Sequence, residues 1–270
     1  MLRSDTFSGK TFYITGAGTG LGQRFATRAA ELGATVAVAG RRESLLQETA
    51  DLITRAGGRA LVCKVDIRRA DEVQASVDSV VAQTGRIDVL INNAAGNFVA
   101  RAEDISPNGW NAVINVVLNG TAYCTLAAGR HMLEQGSGKV LSISAAYAWY
   151  GGPGTAHSAA AKAGVIAMSQ SLAVEWGPRN VQVNCLCPGF VDTEQSRTAL
   201  WPTTEGQQRI LSSVPAGRFG TIDETVEAGL FMCSPMANYI NGEVLVIDGA
   251  QWLNKGVFVL PEAGQRYQKV

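Results

Sequence analysis

Charge is scarce in this 270-residue chain. Asp, Glu, Lys and Arg make up only 17% of it, against about 25% in an average globular protein. The 23 basic and 23 acidic side chains cancel. With no cationic excess to grip a phosphate backbone, no nucleic-acid partner is expected. Histidine is rarer still, with His131 and His157 alone. The five cysteines are odd in number, and Cys185-x-Cys187 is not a metal-ligand spacing, so no metal site is expected. Cys63, Cys185 and Cys187 lie in apolar runs and read as buried, reduced thiols of a reducing compartment. There is no N-terminal apolar signal core, no run of 18 apolar residues and no C-terminal peroxisomal address. The expectation is a cytoplasmic protein without a membrane partner.

Apolar residues are plentiful, at 46%, which suits a large core and a subunit interface. Short runs rich in Val, Ile, Ala and Leu recur at 11–15, 35–39, 60–65, 89–92, 139–144, 181–186 and 244–247. Helical patterns fill 21–32, 43–56, 71–83, 110–133 and 155–176. The strands are continuously apolar rather than alternating, which marks burial on both faces. The fold class predicted is α/β: a single doubly wound Rossmann domain over 1–270, its parallel sheet of about seven strands covered by helices on both faces. Segment 193–219 has weaker periodicity and two prolines. It is either a substrate lid or a long surface excursion.

The first strand runs into Thr15-Gly16-Ala17-Gly18-Thr19-Gly20-Leu21-Gly22. Gly16, Gly18, Thr19, Gly20 and Leu21 fall where a strand gives way to a helix. There backbone N–H groups and the helix dipole can cradle a pyrophosphate. The second strand ends in Gly40-Arg41-Arg42. An enzyme that prefers NAD carries a carboxylate at this point. Two guanidiniums instead suit a 2′-phosphate, and cations at a helix start otherwise oppose its dipole. The cofactor expected is NADP.

With Asn92-Asn93-Ala94-Ala95-Gly96, Ala161-Lys162-Ala163-Gly164 and Pro188-Gly189 also present, the chain resembles the short-chain dehydrogenase/reductase family from about residue 9 to 249. The resemblance implies that Asn93, Ala94, Ala95 and Gly96 pack beside the cofactor. It implies that Asp66, followed by Ile67, reads the adenine. Pro188, Gly189 and Val191 would belong to the cofactor site, and Thr193 would meet the nicotinamide amide. Lys162 would grip the nicotinamide ribose. Family members commonly form tetramers through two long helices, so a homo-oligomer is implied.

The family's usual catalytic groups are an Asn, a Ser and a Tyr four residues before the Lys. Those positions hold Val117, Ala145 and Ser158 here. A serine hydroxyl is a far weaker acid than a phenol. The run Asn92 to Phe98, Val117-Leu118-Asn119-Gly120, Tyr147 and Ser158 to Lys162 resembles instead the 2,4-dienoyl-CoA reductase branch. In that branch the catalytic Tyr precedes the Lys by fifteen residues, on the loop after the fifth strand, which falls on Tyr147. The branch's Asn before Phe falls on Asn97.

The resemblance thus implies catalysis by Tyr147, Asn97, Lys162 and Ser158, and substrate contact at Asn97, Phe98 and Tyr147. Taken singly, Tyr147 could roof the pocket, Asn97 could form a turn, and Ser158 could bond back to a helix carbonyl. The implied substrate is an acyl-CoA. Hydride adds at its fifth carbon, and charge flows to the thioester oxygen, where Tyr147 and Asn97 would donate. Ser158 and Lys162 would hold a water that reprotonates the alpha carbon. The competing readings are a carbonyl reductase of 3-oxoacyl thioesters or ketones, and a non-catalytic NADP-binding module.

Overall fold

A computed structural model describes residues 2–193, 196 and 203–254. Seven strands form one sheet: β1 (Thr11–Thr15), β2 (Thr35–Gly40), β3 (Arg59–Lys64), β4 (Val89–Asn92), β5 (Gly138–Ile143), β6 (Val181–Pro188) and β7 (Val244–Ile247). Their spatial order is β3-β2-β1-β4-β5-β6-β7, and every pairing is parallel. The order reverses direction between β1 and β4, so the carboxyl ends of those two strands frame a crevice.

The strands' apolar runs divide by alternation between two cores. Phe12 and Ile14 of β1 face one side, with Phe25, Leu46, Ile53 and Leu230. Tyr13 faces the other, with Val77, Leu90, Met132 and Val183. The first core is closed by α1 (Gly20–Glu31), α2 (Glu43–Arg55) and α9 (Ile222–Cys233). The second is closed by α3 (Ala70–Thr84), α5 (Gly120–Glu134) and α7 (Ala156–Trp176). The central strands β1 and β4 are buried throughout. The edge strands β3 and β7 are only half-covered. For that reason Cys63 on β3 is partly exposed, contrary to the sequence expectation, while Cys185 and Cys187 are buried.

The apolar pattern expected over 110–133 is one continuous rod with an irregularity. α4 (Pro107–Ile114) passes into α5 through a π turn at Asn115–Asn119. Ser106 caps its start, accepting a bond from the Gly109 N–H. The rod from Pro107 to Glu134 is long and apolar enough to cross a membrane, but half of its most apolar stretch is buried within this fold. Tyr147, expected on a loop, opens a one-turn helix, α6 (Tyr147–Tyr150). Within 193–219, residues Thr204–Ser213 form α8. Positions 194–195 and 197–202 of the segment read as a lid or a surface excursion lie outside the described residues.

One glycine of the first turn is required by packing. A Cβ on Gly22 would overlap the Gly16 carbonyl oxygen and the Asn93 side-chain amide, both fixed groups. Gly20 differs: its φ is +53°, yet a Cβ there would meet nothing within 4 Å. Gly22→Ala is therefore expected to lower stability by about 2 kcal/mol or more. Gly20→Ala should cost only local backbone strain, about 1–2 kcal/mol. Urea unfolding of the two variants beside the parent checks the ranking, and a Gly22→Ala protein as stable as its parent would contradict it.

Candidate active site

The site begins at the carboxyl ends of β1 and β4. Thr15 Oγ1 accepts from the backbone N–H groups of Asn93 and Ala94, each at 3.0 Å. Asn93 Nδ2 returns bonds to the carbonyls of Thr15 at 3.0 Å and Gly16 at 3.3 Å. The glycine loop is thus sutured to the Asn93–Gly96 strip. Gly16 has φ +66°, and a Cβ on it would crowd the Ala94 backbone. Above the loop the space is open: neither Gly20 nor Gly96 would bring a Cβ within 4 Å of anything. Thr19 is the N-cap of α1, but its side chain makes no capping bond, and the first turn carries no acid. The helix's leading N–H groups therefore remain available to an anion.

Around the adenosine end the expectations fare unevenly. Arg41 and Arg42 are exposed. Arg42 is the N-cap of α2, and the acid that follows it, Glu43, pairs with Lys64 on β3 at 3.1 Å. That ion pair draws the nearest carboxylate toward its own partner. Asp66 is already engaged. Arg68 grips it with Nε to Oδ1 at 2.9 Å and Nη2 to Oδ2 at 2.5 Å. The bonds from Arg68 hold the Asp66 carboxyl below its usual range, and the charge of Arg41 adds to the effect. Ile67 is buried against α5, where a side chain at Gly120 would strike it. These residues fit a dinucleotide whose phosphates meet N–H groups at a helix start and whose 2′-phosphate meets the exposed guanidiniums of Arg41 and Arg42.

At the other end, Gly189 and Val191 line a cavity of about 320 Å³ with Ile247 and Asp248, outside the ends of β6 and β7. Tyr147 and Ser158 do not line it. Pro188 closes β6, and Val191 bridges to Gly220. Thr193 Oγ1 bonds Ser196 Oγ at 2.7 Å and accepts from the Ser196 N–H at 3.0 Å.

The chemistry-bearing side chains gather where α6 meets α7. Tyr147 is half-buried, and its hydroxyl lies 2.9 Å from Ser158 Oγ. Ser158 is buried on the first turn of α7. The partner of its hydroxyl is the phenol, not a helix carbonyl, among the described residues. Burial pushes the Tyr147 phenol up from its ordinary range, and the Ser158 bond only partly opposes this. The phenol is therefore neutral at pH 7, a donor rather than a phenolate. Lys162, one turn beyond Ser158, is buried. Its Nζ donates to the Ile143 carbonyl at 2.5 Å. Burial lowers its pKa to about 8.

Asn97 is exposed, and its Oδ1 accepts from the Phe98 N–H at 2.9 Å. That bond leaves Nδ2 as the outward end of the amide. Val117 is buried, whereas Asn115 and Asn119 pair with each other at 2.9 Å on the exposed side of the π turn. Neither asparagine takes the position that Val117 fills. Three participants escaped the sequence reading: Thr15, the Ile143 carbonyl and His157. The first two act through hydrogen bonds that no spacing announces. The third is one of only two histidines and immediately precedes Ser158.

Comparison with known proteins places this geometry. A family model described as enoyl-(acyl carrier protein) reductase matches residues 16–250. A Bacillus subtilis protein described as a probable 2,4-dienoyl-CoA reductase is 42% identical over 91% of this chain and 97% of its own. The rat peroxisomal 2,4-dienoyl-CoA reductase is 36% identical, covering 92% of this chain and 86% of its own. A 2-dehydro-3-deoxy-D-gluconate 5-dehydrogenase of Bacillus subtilis is 34% identical over 93% and 98%. Among solved structures, a short-chain dehydrogenase from Bacillus anthracis superposes with a TM-score of 0.82 at 44% identity, over 90% of this chain and 96% of that one. A gluconate 5-dehydrogenase from Burkholderia cenocepacia, in complex with NADP and tartrate, reaches 0.87 at 31%, over 92% and 97%. Sheet order, glycine turn and these likenesses agree: the chain belongs to the short-chain dehydrogenase/reductase family of oxidoreductases.

Proposed function

We propose that the protein is an NADPH-dependent reductase of 2,4-dienoyl-CoA thioesters. The observation that carries the reading is the bond between Tyr147 and Ser158. The family's usual phenol position holds a serine, and that serine orients a phenol supplied from α6. NADPH, when bound, supplies the hydride that reduces the diene. The glycine turn and the first N–H groups of α1 bind its pyrophosphate. Arg41 and Arg42 select the 2′-phosphate, and Lys162 holds the nicotinamide ribose.

As the substrate is reduced, negative charge collects on the thioester oxygen. The Tyr147 hydroxyl and Asn97 Nδ2 donate to that oxygen, each worth about 10²–10³ in rate. A phenol whose pKa is raised by burial keeps its proton while it donates. Ser158 fixes the phenol's direction. A proton then reaches the alpha carbon from water, giving an enoyl-CoA. In unsaturated fatty-acid breakdown such a step removes a conjugated diene.

A second reading, oxidation or reduction at a sugar-acid carbonyl, is favoured by the likeness to gluconate dehydrogenases. The residues at the usual tetrad positions, Val117, Ala145 and Ser158, weigh against it. NADPH oxidation with 2,4-hexadienoyl-CoA, beside acetoacetyl-CoA and 5-keto-gluconate, decides between them. The dienoyl thioester should be turned over fastest. Tyr147→Phe should lower kcat by about 10²-fold or more with NADPH binding unchanged, because the lost bond strengthens only as charge develops. Near-normal turnover by that variant would end the reading.

On cofactor choice, Arg41→Ala should raise the KM for NADPH and leave that for NADH nearly unchanged. Equal use of both cofactors by the parent would contradict the assignment.

The lowered pKa of Lys162 generates a pH profile. As pH rises through about 8 the ammonium loses its proton, and its grip on the ribose hydroxyls weakens. The value of kcat/KM for NADPH should fall on the alkaline side of that midpoint. Lys162→Met should be low throughout and lack this limb, whereas a limb that survives in the variant would assign it to another group.

A further inference from the structure

His157 is fully buried, and neither ring nitrogen has a hydrogen-bond partner among the described residues. An unpaired buried polar group is destabilising, so its position demands a reason. The ring packs on Phe98, with centroids 4.4 Å apart and planes at 55°. Phe98 in turn lies against α4 at Gly109, where an added Cβ would come within 3.1 Å of the Phe98 ring. The phenylalanine is therefore a plug between α4 and α7, with the imidazole beneath it.

The plug holds little else in place. Segment 95–99 is exposed and has no regular secondary structure. Its nearby backbone tether is Ala100 N–H to the Gly154 carbonyl at 3.1 Å. Asn97 and Phe98 are neighbours joined by the Asn97 Oδ1 bond. Moving the Phe98 ring thus moves the Asn97 amide.

We propose that His157 is a positioning residue for the Asn97 donor: its neutral ring seats Phe98, and a protonated ring releases it. This rests on the reading of Asn97 as a donor to the thioester oxygen. Loss of solvation is the sole cause that lowers the pKa of His157. The closed arrangement therefore favours the neutral ring. Protonation favours the open arrangement, where water can solvate the cation. The sign follows: the loop is held at neutral pH and freed as pH falls.

Among the described residues no charged group offsets this. α4 has no titratable side chain. Arg101 and Glu103, both exposed, face each other at 3.7 Å, and Asp104 is exposed. From α6 come only the phenols of Tyr147 and Tyr150. On α7 itself Lys162 lies one turn beyond Ser158 and bonds Ile143.

Two measurements on the whole protein, with NADPH bound, test the proposal between pH 5 and 7.5. One is hydrogen–deuterium exchange of a peptide spanning 96–101, compared between variants at equal pH. The other is the pH profile of kcat for 2,4-hexadienoyl-CoA. In the parent, protection of that peptide relative to its intrinsic exchange rate should drop and kcat should fall on the acid side, with a midpoint below 6.5. His157→Phe keeps an aromatic ring under Phe98 and cannot take a proton, so both acid effects should vanish. His157→Ala should exchange fast at every pH and lose about tenfold or more in kcat.

Where His157→Phe yields no folded protein, His157→Gln, equally unable to titrate here, takes its place. Acid effects that persist in the non-titrating variant would overturn the proposal. A parent that reduces no dienoyl thioester at any pH would overturn the reading of function, while the exchange experiment would still decide whether His157 seats the loop.

Discussion

Everything functional in this molecule hangs on the suture between the ends of β1 and β4. The strand order leaves those two ends adjacent with their connections departing to opposite faces. Four hydrogen bonds cross the gap, from Asn93 and Ala94 to Thr15 and Gly16. That fixes the glycine turn relative to the strip leading to Asn97. The close approach of α1 to the turn then leaves room only for hydrogen at Gly22. The glycine turn and the strip leading to Asn97 are therefore tied together at their root.

From that root the site is completed by the turn from β5 into α7. α6 presents Tyr147 to Ser158, and Lys162 reaches back to the end of β5. The phenol and the ammonium are perturbed by the same cause, desolvation, with opposite consequences. Burial makes the phenol a poorer acid and the ammonium a better one. The pair is thus suited to a neutral donor beside a cation near its titration point, rather than to a phenolate held by a lysine.

Elements governed by apolar pattern were legible from the residues. The strands at 11–15 and 89–92 match those observed because parallel strands buried between helix layers read as unbroken apolar runs, and the half-covered edge strand at 244–247 matches through its own apolar run. Gly16 and Gly20 declared themselves through a turn that needs positive φ. What escaped was decided by contacts between distant segments. The grip of Arg68 on Asp66 is a local pair, but its hold on the carboxylate follows from a backbone bend rather than from the motif. The direct bond between Tyr147 and Ser158 required knowing that α6 folds back onto α7. The π turn had no signature, because Asn115 and Asn119 are two more polar residues on the outer side of a rod that already carries Asn108, Asn111 and Arg130.

That π turn carries a consequence for how the chain can change length. It accommodates one more residue per turn than an α-helix does. It lies between α4, which supports Phe98, and α5, whose Cys124, Ala128 and Met132 pack on the sheet. Deleting one residue from Asn115–Asn119 would let the rod relax to regular α geometry with α4 and α5 close to their present phase. The same deletion within α5 would turn the residues beyond it by about 100°, and the sheet would lose part of its buried face. The π turn is consequently the place in this rod where a one-residue change of length is absorbed locally.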